Sequence, residues 1–398
     1  LTKLPVQKIL ILGNHRNALT VARQLGRRHQ VILGRAGGPG RVERSRFVTD
    51  VLPLPEADSD GFADALESWL QSLTEAPVLF PVGDTELFAL CRVPSVLVGK
   101  VPSVMPAAEI VTRCLDKSAL VSLAEELQIP QASFRKVKRL SELQSAVREV
   151  GCPCIIKSDH QLSLAFGKKS FHVGDPEELN ELVATAPEPE HGLIVQALAT
   201  GRRHNVYFAA DQGRLTGAME ARVLRTDIFD GSGFTVESES VPLNDSLREY
   251  TERLVEELEF HGIGNTQFLI DQQYGKISFL EISPRMGAAF AVTVPCGFDF
   301  SQAGLNLATG IPFDEEILPR DYPAGRRVAW ITGDINGLVN AVRSREISTS
   351  QAGTWLWRAI RSAFAADVHA TWSWQDPRPT LAILSGRLGK LWQFVTSS

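Results

Sequence analysis

The sequence predicts an α/β amino-terminal domain followed by an α+β body, and three stretches carry that prediction. Residues 7–13 (QKILILG) and 29–33 are short apolar runs joined by a helix-patterned segment at 17–27, the β-α-β order of a parallel sheet. Residues 154–158 and 192–198 are further isolated strand-like runs, set among helical and polar segments. Residues 266–270 and 277–282 are β-rich runs around a polar loop containing Gly275, the pattern of an antiparallel hairpin.

In chain order, the glycine after the first strand stands in GNHRNA, which has one of the three glycines a dinucleotide pyrophosphate requires. A nicotinamide-dependent oxidoreductase is therefore poorly supported. Helix patterning follows at 60–72, a strand at 77–81, and the loop Gly83-Asp84-Thr85-Glu86 opens another helix. Asp84 has two readings there, a functional group at a parallel strand's carboxyl end or a helix cap. Residues 113–127 predict one helix with Lys117 in its first turn, where an anion is favoured and a bare cation is not. Strand 133–138 and helix 141–149 lead to PCIIK, in which Lys157 closes an apolar run and needs an anionic partner, phosphate or carboxylate. A polar loop at 159–170 precedes strand 170–173 and helix 177–185. It is not a P-loop, because Leu162 and Lys169 stand at the required glycine and hydroxyl positions. Strands at 192–198, 205–210, 214–216, 219–224 and 235–240 follow, then a helix at 246–260 that delivers the chain to the hairpin.

Pairing about Tyr274 sets Gln267 opposite Glu281, with Cβ atoms about 4.5–5.5 Å apart. Ser283 projects from the same face two residues on, and Arg285 follows Pro284 where the strand must stop. One carboxylate, two neutral oxygens and a guanidinium suit a small hard cation with a polyphosphate. A surface ion pair is the plainer alternative.

Composition sets the limits. The chain has 398 residues, enough for two or three domains, with 44% apolar and 22% charged residues, as in ordinary globular proteins. A net charge of −5 gives no reason to expect nucleic acid. No apolar run approaches the roughly 18 residues that span a bilayer and no signal-peptide pattern opens the chain, so a cytoplasmic protein without a transmembrane segment is expected. Five cysteines make no disulfide framework and are expected to be buried thiols.

Three blocks together resemble the ATP-grasp enzymes, and among them the predicted carboxylate–amine ligases related to the large subunit of carbamoyl phosphate synthase. They are CLDKSALVSLAEELQIP, PCIIKS and GIGNTQFLIDQQYGKISFLEISPRMG, spread within residues 7 to about 312. The last, with fourteen residues from Gln267 to Glu281, is the most specific. The resemblance implies a pre-ATP-grasp, Rossmann-like domain (1–112), a lid subdomain (113–190), a second ATP-grasp subdomain carrying the hairpin (191–316) and a carboxyl-terminal segment (317–398). It implies ATP and Mg2+ as cofactors and small-molecule carboxylate and amine substrates joined through an acyl phosphate. A homodimer is a further implication. By matched position Lys117 and Lys157 hold phosphates, Gln196, Ala197 and Leu198 form the strand that reads adenine, Arg222 meets the terminal phosphate or the acyl phosphate, Gln267, Glu281 and Ser283 carry magnesium, and Arg285 holds the carboxylate or the moving phosphoryl group. Ser283 replaces the family's usual Asn, the loop 159–170 has only Gly167, and Arg202-Arg203 stand where a ribose-binding acid is common. These departures motivate an alternative, a nucleotide-binding scaffold without ligase activity.

The segment from 317 holds six of the seven tryptophans, Trp330, Trp355, Trp357, Trp372, Trp374 and Trp392. An amphipathic helix is expected at 354–366, with Arg358 and Arg361 on its polar side. Packing on the body is the plain account of this segment, and a dimer or peripheral membrane contact the sharper one.

Overall fold

A computed structural model describes residues 6–35, 38–312 and 316–386, so Trp392 lies outside the described residues. Three sheets organise them. The first is parallel, in the order β3-β2-β1-β4: β1 (Lys8–Leu12), β2 (Gln30–Gly34), β3 (Asp50–Leu52) and β4 (Val78–Pro81). The second is antiparallel, in the order β5-β8-β6-β7: β5 (Phe134–Val137), β6 (Cys154–Ser158), β7 (Phe171–Val173) and β8 (Leu193–Ala197). The third has seven strands, β9 (Arg202–Asp211), β10 (Arg214–Thr226), β11 (Thr235–Val241), β12 (Gly262–Ile270), β13 (Ile277–Ser283), β14 (Arg327–Ala329) and β15 (Val368–His369). Their order is β13-β12-β9-β10-β11-β14-β15.

The two faces of the large sheet are buried differently. Tyr207, Ala209, Met219, Ala221 and Ile263 share one core with Ile9, Ile11, Val31 and Phe80 of the parallel sheet, so that domain packs directly on this face. Val206, Phe208, Ala210, Phe268 and Phe279 point the other way, onto the helices Lys117–Glu126 and Asp245–Glu257. This is period-two alternation on a sheet covered from both sides. The second sheet keeps its own core, with Leu143, Val147, Ile156, Leu179 and Val195 under the helices Leu140–Val150 and Leu179–Thr185.

Several sequence expectations change. Residues 113–127 are not one helix: Ala108–Leu115 and Lys117–Glu126 meet at Asp116, whose extended backbone stops the first and whose side chain accepts the Ala119 N–H to cap the second. Both pack on the large sheet rather than on the second sheet, and β8 pairs in that second sheet, so neither edge of the expected 113–190 division matches the packing. The runs at 214–216 and 219–224 are one strand, β10, with a bulge near Thr216. Cys152 is exposed and Cys91 partly so, because they lie on a loop and at a helix end rather than in the core.

The carboxyl-terminal segment packs on the body, and three polar contacts fasten it. Asp334 takes a two-pronged bond from Arg225 of β10 at 3.0 and 2.5 Å and another from Trp355 Nε1 at 2.6 Å. Trp330 lies 3.7 Å (ring centroid) from the Arg16 guanidinium of the first domain. Asp376, within the Trp-Gln-Asp-Pro run, is only 1% exposed and accepts from Arg23 Nε (3.0 Å), Ser45 Oγ (2.8 Å) and the Arg46 N–H (3.0 Å). That run ties the segment back to the first domain.

Candidate active site

The hairpin β12–β13 pairs Gln267 with Glu281, as the sequence predicts, by a different route. Next to the loop the register is Ile270↔Ile277 and Phe268↔Phe279, one residue tighter than pairing about Tyr274. A bulge between Gln267 and Phe268 restores the offset by leaving Leu280 unpaired. Gln267 Nε2 donates to Glu281 Oε1 at 2.6 Å, and Ser283 Oγ donates to the same oxygen at 3.4 Å. Three oxygen-bearing side chains thus converge on one strand end. Among the described residues no group of three or more His, Cys, Asp or Glu could hold a metal. The donor set here, one carboxylate with an amide and a hydroxyl, fits a single hard cation that takes its other ligands from phosphate and water.

Cations surround this carboxylate. Lys117, the first residue of its helix, donates to the Ser158 and His160 carbonyls at 3.1 and 3.3 Å. Burial, followed by repulsion from Lys157, pushes its pKa down to about 8, with Glu281 opposing. Lys157 on β6 donates to Gln196 Oε1 of β8 at 3.4 Å. Burial lowers its pKa too, against the pull of Glu281. Among the described residues neither lysine has a carboxylate within ion-pair distance, so an arriving anion would relieve the strain on both. Leu198 donates its N–H to the Pro153 carbonyl at 3.1 Å and Ala197 its N–H to Ser133 at 2.9 Å. Pro153 has no N–H to return, so this pairing gives the Leu198 carbonyl no backbone donor.

Arg285 is held rather than free. Its Nε and Nη2 form a fork on Asp84 Oδ1 and Oδ2 at 2.7 and 2.6 Å, and Nη1 donates to the Met286 carbonyl at 3.1 Å. Burial disfavours its charge, but Asp84, then Glu281 and Glu86, outweigh that and raise its pKa. Asp84 is thus neither a helix cap nor a lone functional group; it joins the parallel-sheet domain to the hairpin.

The structure does not bring Arg222 to this site. It pairs with His204, and His204 with Phe268, on the face opposite Gln267 and Glu281. Its Nη2 is 2.5 Å from Glu239 Oε1. On the site's own face stands Arg203, two residues before Asn205, which is paired with Gln267. Arg203 Nη2 donates to the Gly233 carbonyl at 3.0 Å and Thr235 Oγ1 at 3.2 Å. Burial lowers its pKa, with Glu281 the strongest opposing charge. Sequence reasoning noted Arg203 only as a departure from the family pattern. Asn265, two residues before Gln267 on the same face, was also passed over; it is fully buried, its amide atoms have no partner among the described residues, and it lies beside Gly287. Period-two counting back from Gln267 would have found it.

Two loops frame the mouth. Residues 159–170 are anchored by Lys117 N–H to the Asp159 carbonyl (2.6 Å) and Gln161 N–H to the Leu115 carbonyl (2.8 Å), and turn tightly between Ala165 and Lys168. Lys169 Nζ lies 5.4 Å from the Phe234 ring of the facing glycine-rich loop.

Residues 122–296 match the family model of the ATP-grasp domain. The chain carries an ATP-grasp domain. The carbamoyl phosphate synthase large chain of Clostridium acetobutylicum is 27% identical over 204 residues, which is 50% of this chain and 18% of that protein. The chain therefore spans less than a fifth of that curated relative. Among solved structures, an L-amino acid ligase from Bacillus licheniformis superposes with a TM-score of 0.61 at 15% identity, covering 81% of this chain and 78% of that one. The biotin carboxylase domain dimer of Hydrogenobacter thermophilus 2-oxoglutarate carboxylase, in complex with MgADP, ADP and bicarbonate, gives 0.64 at 13%, covering 81% and 73%. At these identities the likeness is one of fold.

Proposed function

We propose that this protein is an ATP-dependent ligase that joins a carboxylate, an amino acid or related acid, to an amine. The observation that carries the reading is the convergence of Lys117, Lys157 and Arg203 around Glu281, with Gln267 and Ser283 beside it and Arg285 at the strand end. In this reading Lys117, Lys157 and Arg203 hold the polyphosphate, the Leu198 carbonyl accepts from adenine, and Arg285, aligned by Asp84, faces the carboxylate. Glu281, Gln267 and Ser283 would hold Mg2+, which when bound supplies charge neutralisation on the phosphates. Transfer of the γ-phosphoryl group to the carboxylate forms an acyl phosphate, and the amine displaces phosphate to leave an amide and ADP. No protein nucleophile is needed. Residues 159–170 with Lys169 would keep water from the acyl phosphate. A homodimer is compatible with this reading.

Phosphate release from ATP and Mg2+ across amino acids, singly and in pairs, tests the proposal. Release that requires two partners supports it. ATP binding with no release for any pair would favour the nucleotide-binding scaffold, which draws support from the filled fork of Arg285.

A pH dependence follows from Lys117. A bound phosphate favours the charged ammonium, so binding takes up a proton wherever the free lysine is neutral. As pH rises above about 8, where the free Lys117 loses its charge, affinity for ADP is expected to fall by up to about tenfold per unit. Lys117→Gln should weaken binding at neutral pH and flatten the profile; calorimetry from pH 6 to about 10 checks both.

A further inference from the structure

The helix Thr349–Ala365 is apolar on two sides. Trp355, Ala359 and Ser362 are buried against the body, as a surface helix requires. Leu356, Trp357, Ile360 and Phe364 are 43%, 59%, 50% and 87% exposed. At 3.6 residues per turn these four form one stripe, turned roughly half a circle from the buried one. Arg361 is exposed on its flank, with its guanidinium 5.8 Å from the Trp357 ring, and Arg358, also exposed, lies about one turn before it on the side nearer the body. The preceding helix, Ile331–Arg343, ends in exposed Arg343, and Arg345 follows it. Four large apolar side chains in one exposed stripe mark an interaction surface rather than scattered exposure.

We propose that this stripe lies on an anionic lipid surface, with the helix in the plane of the interface. Charge decides between lipid and a second copy of the chain. The helix contains no Asp or Glu, so the same face of a second copy would add arginines without a compensating carboxylate. Of the acids that flank it, Asp367 is already held by Arg326 at 2.8 Å and by the Arg327 N–H at 2.8 Å, and exposed Glu346 adjoins Arg345, so the flanks of this face keep an excess of arginine. Anionic headgroups supply the missing charge. The side chains suit the location, since Trp and Phe settle at the boundary between headgroups and acyl chains, and arginine stems lie along apolar surface with their heads in the polar layer. Among the described residues no helix is long and apolar enough to cross a membrane, so the contact is peripheral. The proposal stands whether or not the ATP-grasp site is a ligase.

Cosedimentation of the full chain with vesicles of phosphatidylcholine, with and without phosphatidylglycerol, tests it. The chain is expected to pellet with the anionic vesicles, to be released by salt, and to stay in solution with phosphatidylcholine alone. Trp357→Ser with Phe364→Ser should lower the partition coefficient about tenfold or more. Arg358→Gln with Arg361→Gln should lower it about tenfold. Thermal melts and ADP affinity report whether each variant is folded. No pelleting with anionic vesicles overturns the proposal, as does pelleting that neither pair of substitutions changes. A concentration-dependent dimer that Trp357→Ser with Phe364→Ser dissolves, without vesicle binding, assigns the face to a second copy and overturns it too.

Discussion

Glu281→Ala is expected to lower ADP formation by at least about a hundredfold while leaving the chain folded. Glu281 is the carboxylate that opposes burial at Lys117, Lys157 and Arg203 alike. Removing it takes away the one carboxylate in the donor set and the charge that opposes the effect of burial on Lys157. The fold should tolerate the loss, because Glu281 sits partly exposed at a strand end and its paired partner Gln267 can turn to water. Glu281→Gln sharpens the test, since it keeps the shape but not the charge. If the carboxylate acts through charge, both variants lose activity together; if it only positions Gln267, the glutamine variant keeps most of it. Full turnover in Glu281→Ala would sink the assignment.

The hairpin was legible because its information is local. Two β-rich runs around a glycine loop predict both strands, and the short distance leaves few registers that bring Gln267 opposite Glu281. The bulge at Leu280 was not legible, since no glycine or proline stands at Gln267, Phe268 or Leu280 to signal it. Arg222 shows the same limit from the other side. A strand presents two faces, and which one meets the site depends on the neighbouring strands, here His204↔Arg222 and Phe268↔His204. Sequence alone could not choose between Arg203 and Arg222, because either is one residue from the other face. The tail was unreadable for a third reason. Asp376 acts through partners at Arg23, Ser45 and Arg46, more than 300 residues away in the chain. No periodicity encodes a contact of that range.

Asp84→Ala is expected to destabilise the protein by about 3 kcal/mol, since it strands a largely buried guanidinium whose fork it fills. Arg285→Ala should cost a similar amount by leaving Asp84 without its cation. Replacing both should cost less than the two single losses added together, because no charge is then left unpaired. Thermal and denaturant unfolding of the four proteins gives the coupling directly; simple additivity would mean the pair contributes nothing as a pair. Catalysis separates the two residues. If Arg285 holds the substrate carboxylate, as proposed, Arg285→Ala should raise KM for the acid far more than for ATP. Asp84 acts through Arg285, so Asp84→Asn, which keeps a hydrogen-bonding oxygen, should leave nucleotide affinity unchanged and move the acid's KM by a smaller factor in the same direction. A loss of stability with unchanged substrate kinetics in both variants would make the fork a structural clamp between the parallel-sheet domain and the hairpin. In that case the carboxylate would have to be held elsewhere on the same wall, where Arg203 and the unpartnered Asn265 amide stand.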